Sequence, residues 1–453
     1  KFFWFSLKNF LFYNFSHMCF QKTREILFLL VQSLYNIVDS IFVARLSETA
    51  LTAASLVYSI QFLMIAVGVG TAVGLNALLS RKIGEHKPEE ACRAATTGLF
   101  LMILTSLIFS MIGIFLSDTI ATKMAADSEL QELCKQYLSI NLVYCWGIFL
   151  QTYAQRLLQA VGDTVLSMLS LIIGAVLNII LDPIFIFWLD MGVKGAALAT
   201  VLSQACSAVW VLSFLFSRRA SLPLERRYMK LEKSIVLSML ALGVSPFIMA
   251  STESLVGFVL NSSLKEFGDI YVSALTVLQT SMQFASVPLT GFAQGVVPVA
   301  SYNYGHGDKQ RVKECFRIAL ITMFSFNLVL MLFMICFPAI VASAFTSDAR
   351  LIETVRWTMP VFLGGMTIFG LQRACQNMFV ALGQARISIF IALLRKVILL
   401  IPLALILPHF MGVAGVYAAE AISDATAAIC CTLLFFWQFP KILRRIKSKS
   451  LSE

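Results

Sequence analysis

Twelve runs of apolar residues, each long enough as a helix to cross a lipid bilayer, divide this chain, and nothing else limits its fold as strongly. A helix rising about 1.5 Å per residue needs roughly 20 apolar residues to traverse about 30 Å of hydrocarbon. The runs cover 26–44, 51–79, 94–116, 133–155, 165–188, 195–217, 235–260, 271–300, 318–346, 351–380, 387–407 and 413–439. With 58% hydrophobic and 13% charged residues among 453, soluble domains could not bury the apolar surface, so its solvent is lipid. Only helices and closed barrels satisfy the backbone there, and runs this long and continuous are not the short alternating segments of a barrel. The expected class is an all-α membrane protein.

The formal net charge of +10 is read through its placement. With the C-terminus inside, alternate loops gather Arg81, Lys82, Lys87 and Arg93, then Arg218, Arg219, Arg226, Arg227, Lys230 and Lys233, then Lys309, Arg311, Lys313 and Arg317, and the tail from Lys441. The opposite side keeps Arg45, Lys123, Lys135, Lys194, Lys265, Arg350 and Arg356. This bias predicts a multi-pass protein of the cytoplasmic membrane with both termini in the cytoplasm, and leaves no reason to expect a nucleic-acid partner. The ten cysteines sit in apolar runs without zinc or redox spacing and read as small core hydrophobes.

The chain also repeats itself. Ser59-Ile60-Gln61-Phe62 matches Ser281-Met282-Gln283-Phe284, and Gly84 matches Gly305. Gln159-Ala160-Val161-Gly162 resembles Val380-Ala381-Leu382-Gly383, and Met191-Gly192-Val193-Lys194-Gly195 resembles Met411-Gly412-Val413-Ala414-Gly415. Matches in one order at nearly constant offset mark a duplication. Six helices per copy is an even number, so both halves run through the membrane in the same sense, as twelve helices in two pseudo-symmetric six-helix lobes. The expected division is an atypical segment 1–25, an N-lobe 26–217, a basic cytoplasmic linker 218–233, a C-lobe 234–440 and a tail 441–453. Such halves hold substrate and alternate access, which favours a transporter. No phosphate loop, metal-spaced His cluster or nucleophile elbow is present, so the reading is not an enzyme, with no cofactor beyond a coupling ion, H⁺ or Na⁺.

An ionisable group at bilayer depth costs at least about 2.5–3.5 kcal/mol and calls for a partner, a cavity or a function. Asp39 falls in the first run and Asp182 in the fifth, where Asn178 and Asp182 are four residues apart and share a helix face. A carboxylate beside an amide oxygen suits a proton or Na⁺, and Pro183 frees a backbone carbonyl nearby. Spacing alone leaves open the alternative that both acids sit at water-exposed helix ends. In the second half Glu253, Arg373, Arg395, Lys396, Glu420 and Asp424 fall in apolar runs. Arg395 reads equally as a structural lock to a carboxylate of helix 7 or 12 and as a substrate contact. Glu253, Gln61, Gln283 and Arg395 are the substrate-binding candidates.

Val38-Asp39-Ser40-Ile41-Phe42-Val43, Leu158-Gln159-Ala160-Val161-Gly162-Asp163-Thr164, Asn178-Ile179-Ile180-Leu181-Asp182-Pro183 and Gly195-Ala196-Ala197-Leu198-Ala199-Thr200 resemble segments of the MATE (multidrug and toxic compound extrusion) family. Gln294-Gly295-Val296-Val297-Pro298 and Ser301-Tyr302-Asn303-Tyr304-Gly305 resemble the corresponding element of bacterial members. The resemblance implies an antiporter that exports amphipathic, often cationic drugs in exchange for H⁺ or Na⁺, with small-molecule substrates, membrane lipid around it and a monomeric state. By motif position it implies a cation site of Asp39, Asn178, Asp182 and Thr200. Residues 1–25 depart from it, being Phe-rich with Lys8, Lys22, Arg24 and Glu25; an altered start of the gene is the plain reading and a surface-lying amphipathic anchor the other. The alternatives in function are a lipid-linked oligosaccharide flippase of the same superfamily, which would need a cationic groove, and a non-transporting receptor or scaffold.

Overall fold

The structure, a computed structural model, describes Phe42 and residues 46–124, 127–217, 220, 222 and 224–445. The expected first helix apart from Phe42, the segment 1–25 and Asp39 lie outside the described residues. Everything described with regular structure is helical. The first half contains α1 (Glu48–Gly84), α2 (Pro88–Met124), α3 (Ser128–Val143), α4 (Trp146–Ala160), α5 (Thr164–Pro183) and α6 (Gly192–Leu215). After it come α7 (Lys233–Lys265), α8 (Asp269–His306), α9 (Lys309–Cys336) and the short α10 (Pro338–Ser343). The chain closes with α11 (Ala349–Leu363), α12 (Phe369–Ala381), α13 (Ala385–Leu393), α14 (Ile401–Ile406), α15 (Pro408–Met411) and α16 (Val413–Arg445). Among the described residues, nine helices are long and apolar enough to cross a membrane. Two compact units result, one up to Gly243 and one from Val244, so the division falls inside α7.

Helix boundaries follow from local chemistry. Asp127, Asp163, Asp308 and Asp348 each lend a carboxylate oxygen to a backbone N–H of the first turn of α3, α5, α9 and α11. Residues with left-handed backbone recur in register between the halves: His86 (φ 58°) with Gly307 (φ 90°), Gly162 (φ 86°) with Gly383 (φ 74°), and Gly192 (φ 54°) with Gly412 (φ 59°). The duplication read from side chains is thus also written in the turns.

Two predicted spans, 133–155 and 351–380, are broken helices. The first parts at Tyr144 and Cys145, between α3 and α4; the second passes through a 3₁₀ turn at Gly364–Ile368, between α11 and α12. A break in lipid exposes carbonyls that only the protein can satisfy. Ser110 Oγ donates to Val143 O at 2.6 Å, and Asn327 Nδ2 donates to Met366 O at 2.7 Å and Thr367 O at 3.0 Å. Each break is therefore held by a polar residue of the neighbouring long helix, α2 or α9.

Close backbone approach is the other organising device. In the first unit a Cβ on Gly74 would lie 2.0 Å from Met239 O and one on Gly243 2.3 Å from Gly70 O, so the start of α7 packs onto α1. In the second unit a Cβ on Gly365 would lie 1.8 Å from Ala421 O. Gly365→Ala must push the 3₁₀ turn off α16, with an expected loss of about 1–3 kcal/mol typical of overpacking. A lowered thermal unfolding midpoint in detergent checks this. An unchanged midpoint would mean the two backbones are not held together.

Candidate functional site

Helix α5 starts behind the left-handed Gly162 and ends at Pro183, where the missing N–H passes the chain into a π-helical turn, Ile184–Trp188. The ring of Phe42 meets that of Phe187 edge-on, with centroids 6.3 Å apart. Helix α6 returns close against this turn because Gly195 has no side chain; a Cβ there would stand 2.7 Å from Phe185 O. That approach carries Thr200 to the face of α5 that bears Asn178 and Asp182.

All three side chains are buried, Asn178 and Asp182 completely. Asn178 Nδ2 donates to Asp182 Oδ1 at 3.2 Å, across one helical turn, and to Thr200 Oγ1 at 3.4 Å, across to α6. Asn178 Oδ1 is also buried and accepts no hydrogen bond. A bare amide carbonyl, a buried carboxylate and a hydroxyl on two helices form an oxygen-rich cluster. Its negative charge is costly in a low dielectric unless a proton or metal cation joins it. Further along the α5–α6 seam, Gln151 Nε2 donates to Ser207 Oγ at 3.1 Å and the Ser207 hydroxyl donates to Ser170 O.

The four residues expected to bind the cation are thus partly accounted for. Asn178, Asp182 and Thr200 meet; Asp39 lies outside the described residues. The substrate candidates are dispersed. Gln61 on α1 is half-buried, Gln283 on α8 and Glu253 on α7 are exposed, and Arg395 is buried.

Arg395 belongs to a second charged cluster, wholly within the second unit. Its Nε lies 2.5 Å from Asp424 Oδ1 and its Nη2 3.7 Å from Glu420 Oε1, while Lys396 Nζ lies 3.0 Å from the same Glu420 oxygen. Ser423 Oγ donates to Arg395 O at 2.6 Å. The basic pair stands in the π-helical stretch Leu394–Leu400, between α13 and α14. Helix α16 supplies the acids, brought in by Gly415, where a Cβ would lie 2.5 Å from Leu407 O. The Lys396–Glu420 pair was not anticipated from the sequence. The signal was there: the offset of 220 that equates Gly195 with Gly415 also equates Thr200 with Glu420 and Ser203 with Ser423.

Helices long enough for a bilayer, a doubled architecture and a buried ionisable cluster between paired helices define a polytopic transporter. The family model MatE matches residues 26–184 and again 246–406, two copies of one unit. The chain therefore belongs to the MATE family of transporters, all-α membrane proteins with twelve helices in two six-helix lobes. It is 24% identical over 408 residues to Multidrug export protein MepA of Staphylococcus aureus, covering 90% of each chain. Among solved structures it is similar to a transporter of the MOP superfamily from Pyrococcus furiosus, described under a reversed polarity of the binding pocket, with a TM-score of 0.87, 24% identity and 94% of this chain and 96% of that one covered. An outward-facing multidrug resistance MATE family transporter matches with a TM-score of 0.87 at 25% identity over the same shares.

Proposed function

We propose that this protein is a cation-coupled antiporter that exports amphipathic, often cationic drugs across the cytoplasmic membrane by alternating access, with H⁺ or Na⁺ as the coupling ion. The observation that carries the reading is the buried cluster of Asn178, Asp182 and Thr200. A carboxylate in a dry, polar seam changes its energy steeply when it gains or loses a cation, so ion binding can bias one lobe conformation over another. The curated relatives named as multidrug export proteins support drug-like small molecules as the cargo. Ion and drug are linked: a cation that stabilises the state with low drug affinity drives release.

Purified protein in liposomes should accumulate a fluorescent lipophilic cation from outside only while an outward-directed H⁺ or Na⁺ gradient is imposed, with the ion concentrated in the lumen, on the side opposite the dye. Running the two gradients separately identifies the ion. Accumulation that ignores both gradients would remove the coupling.

The linker side is proposed to be cytoplasmic. The guanidiniums of Arg93 and Arg227 lie 5.3 and 4.6 Å from the centroid of the Tyr228 ring, whose hydroxyl donates to Glu89 Oε1 at 3.0 Å. This anchors the base-rich segment to the start of α2. Met229 beside it is exposed. A cysteine at Met229, in a background without other reactive thiols, should react with an impermeant maleimide in everted vesicles and not in intact cells. Labelling from outside intact cells would invert the topology.

A further inference from the structure

Within the predicted spans of the second unit, one described basic group, Arg373, stands outside the ion pairs. Arg395 and Lys396 are matched by Asp424 and Glu420 within 4 Å. Arg373 is not: among the described residues no acidic side chain forms an ion pair with it, and its buried Nε has no hydrogen-bond partner. Its guanidinium lies 5.1 Å from the centre of the Phe369 ring, which also carries the guanidinium of Arg395 at 4.3 Å. Two cations on one ring repel each other, and of the two only Arg395 has an ion-pair partner among the described residues. Arg373 stands eight residues before the end of α12 at Ala381, about 12 Å at the usual helical rise, well inside the predicted span. A guanidinium at such depth is tolerated where it meets a counter-charge.

Gln376 Nε2 of α12 donates to Met249 Sδ of α7 at 3.3 Å, and one turn away from each stand Arg373 and Glu253; Glu253, exposed and without an ion pair among the described residues, acts on Arg373 electrostatically, as does Asp424 of α16, which is already paired with Arg395. A lone cation and a lone anion therefore stand within electrostatic reach without touching. A planar guanidinium with free donors, flanked by an aromatic face, is suited to a carboxylate; an exposed carboxylate on the facing helix is suited to an ammonium.

We infer that the C-lobe carries a subsite for zwitterionic amphiphiles, in which Arg373 receives the carboxylate, Glu253 the ammonium, and the Phe369 ring the adjoining apolar body. This rests on the reading of the chain as a drug exporter and extends its cargo from cations to molecules bearing both charges. Such a ligand would give each of these two charges a partner while leaving the net charge unchanged.

Equilibrium binding to the full-length protein in phosphatidylcholine nanodiscs tests it, with no ion gradient, so that the result is independent of coupling. The probes are ε-dansyl-lysine, which is zwitterionic, dansylcadaverine, which is the same molecule without the carboxylate, and dansyl-aminohexanoate, which lacks the ammonium. Native protein should prefer ε-dansyl-lysine to dansylcadaverine by about tenfold, as a charge-assisted hydrogen bond predicts. Arg373→Gln should collapse that preference, Arg373→Lys should keep part of it, and Glu253→Gln should instead collapse the preference for ε-dansyl-lysine over dansyl-aminohexanoate. Loss of affinity for all three probes in proportion would make Arg373 structural and overturn the subsite. So would displacement of ε-dansyl-lysine by phosphatidylglycerol that is lost in Arg373→Gln, which would assign the guanidinium to lipid headgroups. If native protein binds dansylcadaverine and exports it but shows no preference for the zwitterion, the subsite fails while the exporter reading stands.

Discussion

Asp182→Asn is expected to abolish gradient-driven drug transport, with a fall of about 100-fold or more, while equilibrium drug binding changes by less than about threefold, since removing an essential titrating charge removes the driving linkage but not the cargo contacts. The asparagine has nearly the same shape, and an amide can still accept from Asn178 Nδ2, which now lies 3.2 Å from Asp182 Oδ1. Packing is therefore preserved and only the charge is lost. Transport and binding measured on the same preparation separate the two effects. Transport surviving in the variant would take the coupling away from this cluster. Thr200→Ala is a milder companion, since Thr200 Oγ1 stands at 3.4 Å from the amide and carries no charge.

The other large effect is expected at Asp424. Arg395 is nearly fully buried, and its closest counter-charge is Asp424 at 2.5 Å; Glu420, at 3.7 Å, is already engaged by Lys396 at 3.0 Å. Asp424→Leu leaves two buried cations against one anion and should destabilise the protein by about 3–5 kcal/mol, the usual penalty for orphaning a buried charge. Replacing both partners, Asp424→Leu with Arg395→Met, removes the penalty along with the pair. Most of the lost stability should return, because apolar residues of similar volume need no desolvation. Thermal unfolding of the two variants in one detergent checks it. A double variant as unstable as the single one would mean that Arg395 is held for reasons other than its charge. A double variant that is stable yet fails to transport would point to Arg395 as a substrate contact rather than a lock.

Much of this architecture was legible because lipid makes helix prediction a matter of length. Eleven of the predicted spans fall on described helices. The breaks in the spans 133–155 and 351–380 were not legible, because neither is required by its own residues. They are held from outside, by Ser110 on α2 and by Asn327 on α9, and a run of apolar residues gives no sign of a partner brought in by tertiary contact. The packing of the start of α7 onto α1 was not legible for the same reason. It depends on Gly74 and Gly243 meeting facing backbone, which composition does not reveal.

The candidate site divides similarly. Asn178 and Asp182 were readable from a spacing of four residues, since helical geometry alone puts them on one face. Thr200 came only from the family resemblance, as its place depends on how closely Gly195 lets α6 approach the end of α5. In the C-lobe the individual charges were visible, but which acid serves which base was not. That pairing depends on the π-helical stretch at Leu394–Leu400, which places Arg395 and Lys396 toward α16 together. Arg373 was visible only as another intramembrane charge, and its lack of an ion-pair partner among the described residues emerges once the other charges are matched.

If drug and coupling cation are linked through the Asp182 cluster, each must change the other's affinity, because linkage is reciprocal. Protein in weakly buffered detergent solution, with a pH indicator or a Na⁺-selective electrode, reports this directly when a cationic drug is added. Release of H⁺ or Na⁺ should saturate with drug binding and be absent from Asp182→Asn. Drug binding that saturates with no ion released from the native protein, or with equal release from the variant, would contradict it.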